Sequence, residues 1–324
     1  MVKINCLSSG TDDCFLVEIK YDDDTKLRLL VDGGKNTENL IKYLKRIKGK
    51  EYFTIDYIIV THIDSDHIKG IIDLYVSNDF DKNIGNAKLI YNYIVDCPEI
   101  SYTQAEKLEK IVRHKQVMVT YKNGYKLYNN DKIMFLSYED RKNEEYCYNE
   151  IKKKKVILTF LNPTYEMVLN VHKNYTMHRR DAECVNKSSI VFLLEYKDKV
   201  MLFTGDCFLC DVIDKISNIY DNTGNASNAK IDFIKVPHHG AYPNNKEIKD
   251  LIEKYKCDKI FVTCGEKDKK HPSKDFLESI KGMDKLNLYS NNIGNSNYDI
   301  LKCGTDSYKK KPEPKLQQED GIVI

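Results

Sequence analysis

No run in this chain approaches the roughly 18 to 20 consecutive apolar residues of a membrane-spanning helix, and its opening, MVKINCLSSG, has no basic segment followed by a long apolar one. Charge of one sign is also missing. Fifty-one basic residues face 49 acidic ones, a formal net charge of +2, so no global field draws the chain to nucleic acid or to a membrane surface, and a polyanion would have to be held locally. Cys207 and Cys210 have CxxC spacing but lack a second such pair, which argues against a structural zinc knuckle. The ten cysteines are scattered through a long chain rather than framing a small one. They read as free thiols in a reducing compartment, and the expectation is a cytoplasmic protein without a membrane partner. A GxGxxG loop, a Walker phosphate loop and a nucleophilic serine elbow are absent, so dinucleotide, ATP and serine-hydrolase readings have no local support. No internal repeat is visible.

What is present is an alternation of short β-rich runs and helical patterns over 324 residues. CFLVEI, KLRLLVDGG, IDYIIV, KVILTFL, SSIVFLLEY, KVMLFTG, IDFIKVP and KIFVTC read as strands. TENLIKYLKRIKG places Leu40, Ile41, Leu44 and Ile47 on one helical face with Thr37 as N-cap, and NNKEIKDLIEKYK and SKDFLESIKG are further helices. Strand-then-helix repetition implies layered sheet and helix, a mixed α/β (α+β) architecture. We expect one domain over residues 1–304. The less regular, Lys-, Tyr- and Asn-rich stretch around 79–155 reads as an insertion or lid, and 305–324 as a flexible polar tail.

The chemistry concentrates where strands stop. THIDSDH follows IDYIIV and puts His62, Asp64, Asp66 and His67 into six positions. Charged groups packed this closely repel one another unless a cation sits between them, and imidazole with carboxylate is a common metal-ligand set. TGD after VMLF delivers Asp206, and VPHHG after IDFIKV delivers His238 and His239. Three strand ends that each present ligands suggest one site. Asp32, at the end of LRLLVDGG, reads equally as a carboxylate that orients a ligating histidine or as a turn residue.

These residues resemble the metallo-β-lactamase fold superfamily, whose pattern HxHxDH, then a strand ending in a bridging Asp, then a strand ending in His stands here as HIDSDH, LFTGD and VPHHG. The resemblance covers residues 1 to about 282 and implies a four-layer αβ/βα sandwich. More narrowly, VTHIDSDHIKG, FTGD, IKVPHHGA and HPSKDFLESI look like the hydrolase domain of ComEC-type competence proteins, and SSGTDDCFLVEI like a degenerate form of its opening, with Asp13 at the matching acid. The resemblance implies two divalent ions: His62 and Asp64 on the first, Asp66 and His67 on the second, Asp206 between them, and one of His238 and His239 on the second ion with the other near substrate. Because Asp64 replaces a family histidine, preference shifts from zinc toward harder ions; Mn²⁺ or Zn²⁺ is expected, with Mg²⁺ a further candidate. For the family's third-motif histidine, His172 and His178 are candidates by position only, and NKSSIVFLLEY resembles a strand that lacks it.

The implied activity is that of a metal-dependent hydrolase with a metal-bridged hydroxide, a phosphodiesterase or nuclease acting on DNA or a nucleotide. Asp66, His238 and His271 are the catalytic candidates. A small-ester hydrolase (lactone, thioester or phosphocholine ester) and a non-catalytic scaffold are the alternatives. The chain between Asp206 and His238 is too short for the large insert of RNA-processing nucleases of this fold.

Overall fold

The computed structural model describes residues 1–35, 38–48, 54–77, 87–92, 106–108, 110, 117–119, 132–143, 148–177, 179, 181–221, 229–291 and 321–324. Two seven-stranded sheets face each other. The first runs β14 (Ile322–Val323), β1 (Val2–Cys6), β2 (Phe15–Lys20), β3 (Lys26–Val31), β4 (Tyr57–Ile59), β5 (Lys88–Ile90), β6 (Val117–Val119). The second runs β13 (Asn287–Ser290), β12 (Lys259–Val262), β11 (Phe233–Lys235), β10 (Lys199–Phe203), β9 (Val191–Tyr196), β8 (Val156–Asn162), β7 (Ile133–Ser137).

Side chains of a strand alternate between faces, and here both faces are buried. In β2, Phe15, Val17 and Ile19 join the core between the sheets while Leu16 turns outward. In β9 and β10, Phe192, Leu194, Met201 and Phe203 point inward, and Val191, Leu193, Val200 and Leu202 point outward. A file of aromatic rings links the sheets: Tyr57 to Phe135 at 5.3 Å, Phe135 to Phe160 at 6.1 Å, Phe160 to Phe192 at 6.0 Å, Phe192 to Phe203 at 5.1 Å and Phe203 to Phe15 at 6.4 Å between centroids. Each such burial is worth about 1.5 to 3 kcal/mol.

Helices cover the outer faces. On the first sheet, α1 (Glu38–Lys48) contributes Leu40 and Leu44, and α2 (Ser65–Val76) contributes Ile68, Ile71 and Leu74. The expected apolar face of α1 is seen at Leu40, Ile41 and Leu44; Thr37 and the Ile47 side chain lie outside the described residues. On the second sheet, α7 (Ile213–Asp221), α8 (Ile248–Lys254) and α9 (Lys274–Ile280) bury Ile216, Leu251, Phe276 and Leu277. Four further helices, α3 (Tyr138–Asn143), α4 (Tyr148–Lys154), α5 (Tyr165–Thr176) and α6 (Ala182–Lys187), complete the described set. The result is the four-layer αβ/βα sandwich.

Two of the expected stretches are described in part. Within 79–155, β5 and β6 extend the first sheet and β7 is the edge of the second. Strands of three residues are too short to show a period, which is why they did not register. The tail does not end loosely: Ile322 and Val323 pair antiparallel with Ile4 and Lys3, and Ile322 and Ile324 pack on the central core. Apolar GIVI pays for its ordering by this burial; residues 305–320 lie outside the described set.

Candidate metal centre

The parallel strands β3, β4, β10, β11 and β12 end on one edge, and the loops that follow them carry the polar residues. Asp32, at φ 58, follows β3, and Thr61 and His62 follow β4. Helix α2 brings Asp66 and His67 in its first turn, held there by backbone contact. Gly33 N–H donates to His67 O and Gly70 N–H to Gly34 O, both at 2.8 Å. A Cβ on Gly70 would run into the Gly33 carbonyl. After β10, Gly205 at φ 52 presents Asp206; a Cβ there would come within 2.9 Å of the Thr61 Cβ. His238 and His239 also sit at positive φ, 45° and 53°, uncommon for residues with a side chain and frequent at functional sites.

The ligand atoms converge. Asp206 Oδ1 lies 3.4 Å from His67 Nε2, and its Oδ2 lies 3.9 Å from His62 Nε2 and 3.8 Å from His239 Nε2. His239 Nε2 is also 3.6 Å from Asp66 Oδ2. His62, His67 and Asp206 form one group whose ligand atoms lie within 4.8 Å of one another, and Asp66, His67 and His239 form another. The Nε2 atoms of His62, His67 and His239 and Asp206 Oδ1 are all buried without a hydrogen-bond partner. Four orphaned polar atoms aimed at one place are costly unless an ion takes them up, and imidazole with carboxylate suits a divalent cation. These residues therefore fit the metal that the sequence pattern implies.

A polar layer behind the site fixes each ring. Thr61 donates its N–H to Asp32 Oδ1 and its hydroxyl to Asp32 Oδ2, both at 2.7 Å. With its one proton spent, Thr61 Oγ1 accepts from His62 Nδ1–H at 3.1 Å. His67 Nδ1–H donates directly to Asp32 Oδ2 at 2.8 Å. Thr263 donates to Asp13 Oδ1 at 2.6 Å and so accepts from His239 Nδ1–H at 2.8 Å. All three rings thus carry the proton on Nδ1 and turn Nε2 to the centre, the tautomer an ion requires. Asp32 both orients a histidine and occupies a turn, so the two sequence roles coincide.

Beneath lies Lys235, 2% exposed at the end of β11. Its ammonium pairs with Asp13, donates to Gly205 O at 2.9 Å and stands 3.5 Å from Asp206 Oδ1. Burial alone would lower its pKa, but Asp13 and Asp206 hold it above the ordinary lysine value. For Asp206, burial acts upward and is outweighed by His67, His239 and Lys235, which hold the carboxyl well below the usual range. Asp66 is likewise low: burial raises it, but its neighbours His239 and His67 prevail. His62 is pushed well below the ordinary histidine value by burial and by His67, so its Nε2 lone pair is open. Asp13, Asp32 and Asp206 act on the Lys235 ammonium, and Asp66 lies beside His239, a concentration of carboxyl groups that divalent cations would offset.

The remaining candidates stand at the rim. Asp64 is the N-cap residue of α2 but makes no side-chain cap hydrogen bond, and its Oδ2 is 3.9 Å from His62 Nε2. His238 Nε2 is 3.9 Å from Asp206 Oδ2. Neither joins a group of mutually close ligand atoms. Asn244 donates its amide to Asp206 O and Cys207 O, leaving its oxygen to accept His238 Nδ1–H at 3.1 Å. The His271 ring lies 5.6 Å from that of His238 and 5.9 Å from that of His239. His172 sits on α5 and joins no ligand group among the described residues; His178 lies outside them. Cys207 is buried, Cys210 exposed, and both are free thiols. Sequence reasoning missed Thr61, Thr263, Asn244 and Lys235. Only Lys235 left a trace, as a lysine interrupting the apolar strand IDFIKV.

The family description "Metallo-beta-lactamase superfamily" matches residues 11–145. Among solved structures, the chain is similar to the metallo-beta-lactamase fold protein YhfI from Bacillus subtilis, at 10% identity over 90% of this chain and 96% of that one, with a TM-score of 0.44. It is also similar to Tm1679, described as a metal-dependent hydrolase of the beta-lactamase superfamily, at 11% identity over 89% of this chain and 94% of that one, with a TM-score of 0.41. None of the curated proteins matches. The two helix-faced sheets and the ligand-bearing strand ends match the metallo-β-lactamase fold.

Proposed function

We propose that this protein is a metal-dependent hydrolase of phosphodiesters, a phosphodiesterase or nuclease whose substrate is DNA or a smaller nucleotide. The observation that carries the reading is the set of buried, unpartnered atoms at His62, His67, His239 and Asp206 beside two half-buried imidazoles, His238 and His271, at the rim. Two divalent ions, when bound, would promote ionisation of water and draw charge from phosphoryl oxygens. Asp66, one-quarter exposed, would accept a hydrogen bond from the attacking water. His238 and His271, whose rings stack 5.6 Å apart, would meet the phosphoryl or leaving oxygen. The carboxylate at Asp64 favours an oxygen-preferring ion such as Mn²⁺, and the likeness of VTHIDSDHIKG and IKVPHHGA to competence-type hydrolase domains favours a phosphodiester.

The test is hydrolysis of bis(p-nitrophenyl) phosphate by metal-stripped protein refilled with Mn²⁺, Mg²⁺ or Zn²⁺, beside Asp66→Ala. Activity with Mn²⁺ that disappears in the variant supports the reading. Inactivity with every ion, together with hydrolysis of a lactone, thioester or phosphocholine ester, replaces it with the small-ester alternative, which the nearly balanced net charge favours. Inactivity on all of these leaves the scaffold.

A further inference from the structure

Asp268, a residue to which the sequence gives no role, receives hydrogen bonds from four donors. Its Oδ1 accepts from the backbone N–H groups of Lys270 at 2.7 Å and His271 at 3.0 Å. Its Oδ2 accepts from the Thr11 hydroxyl at 2.8 Å and from His271 Nδ1–H at 3.2 Å. Thr11 comes from the loop between β1 and β2, two residues before Asp13, and in turn accepts Gly265 N–H at 2.8 Å. Backbone donors alone would close the loop; the two side-chain donors on Oδ2 do something more. They fix the His271 ring by the nitrogen remote from the centre, and that ring packs against His238 and His239.

We propose that Asp268 is a positioning residue for His271, holding Nδ1–H so that Nε2–H faces the leaving oxygen of a phosphodiester. This deepens the phosphodiester reading and rests on it. The Asp268 carboxylate takes one ring nitrogen, Nδ1, and the ring packs beside His238, which leaves Nε2 as the nitrogen offered to the leaving oxygen. As a water oxygen bonds to phosphorus and a proton leaves it for Asp66, the phosphorus bond to the leaving oxygen breaks. The departing electron pair takes the Nε2 proton, giving an alcohol and neutral His271, and exchange with solvent restores both protonation states.

The experiment compares Asp268→Asn, His271→Ala and the double variant, all loaded with Mn²⁺, on two substrates. Bis(p-nitrophenyl) phosphate has a stable phenolate leaving group and needs little proton donation; a dinucleoside monophosphate has a poor alkoxide leaving group and needs much. Either single variant should lower kcat on the dinucleotide about 100-fold, the low end for a lost proton donor, with a far smaller loss on the nitrophenyl ester. The double variant should be no slower than His271→Ala. Equal losses on both substrates, no loss, or losses that multiply in the double variant would overturn the proposal. A ring-nitrogen NMR spectrum supplies a readout apart from turnover: the His271 Nδ1–H should show a hydrogen-bonded signal in the wild type that is lost in Asp268→Ala, and an unchanged signal would overturn the positioning role. If the wild type hydrolyses neither substrate, the phosphodiester reading itself falls, whatever the spectrum shows.

Discussion

The His239 ring is held by Thr263, a residue 24 positions later in the chain, whose hydroxyl accepts Nδ1–H at 2.8 Å and passes its own proton to Asp13. Removing that hydroxyl frees the ring to turn or to change tautomer. Thr263→Val, nearly the same shape, should therefore weaken divalent-ion binding about 10- to 100-fold while leaving the circular dichroism spectrum unchanged. Thr263→Ser keeps the hydroxyl and should bind like the wild type. Calorimetric titration of metal-stripped protein with Mn²⁺ decides; equal affinity in Thr263→Val would show that His239 needs no such support.

Asp13 and Lys235 make a buried ion pair, and breaking one partner should cost more than removing both. Lys235→Met leaves two carboxylates without their ammonium and should destabilise the fold by about 3 to 5 kcal/mol in urea unfolding. Adding Asp13→Asn should recover part of that loss, since no lone charge then remains at Asp13. A double variant as unstable as the sum of the two single variants would remove the pairing argument.

Helix α2 reaches the centre only because Gly70 lets its backbone touch Gly33. Gly70→Ala should gain about 1 kcal/mol of helix propensity and lose more to the clash, for a net loss of stability and of metal content. Metal analysis and thermal unfolding of the same sample check both at once; a more stable, fully loaded Gly70→Ala protein would mean the helix can dock elsewhere.

Why some of this was legible and some not follows from distance along the chain. The runs around Phe15, Phe192 and Phe203 announce buried strands by their own composition, and ligands at their ends, such as Asp206 and His239, announce a site. Thr61 and Thr263 are ordinary residues whose meaning lies in Asp32 and Asp13, the latter 250 positions from Thr263. Choosing His239 rather than His238 for the converging group needed the two positive-φ residues that aim the rings apart. The three-residue strands β5 and β6 carry no pattern of their own; pairing to β4 makes them strands.

The carboxyl groups and orphaned imidazole nitrogens gathered at the centre should make the folded state lean on bound ions. Stripping the metal with a chelator should lower the melting temperature, and Mn²⁺ at about 100 times its Kd should return about 2.7 kcal/mol. The same addition to Asp66→Ala should return less, because one converging carboxylate is gone. Identical melting with and without ions would contradict the reading of the orphaned imidazole nitrogens as ligands.

Asp64 offers the sharpest test of ion preference. Its carboxylate stands 3.9 Å from His62 Nε2, where the superfamily pattern has an imidazole, and it is spent on no side-chain cap of α2. An oxygen donor favours harder ions, and a nitrogen donor favours zinc. Asp64→His should therefore raise the Zn²⁺ to Mn²⁺ affinity ratio by about tenfold, the worth of about 1.4 kcal/mol. Helix α2 should survive, since the side chain makes no cap bond there to lose. Competition titration with both ions measures the ratio directly. A ratio unmoved by the histidine would place Asp64 outside the metal's reach, leaving its carboxylate to act on the substrate side of the centre.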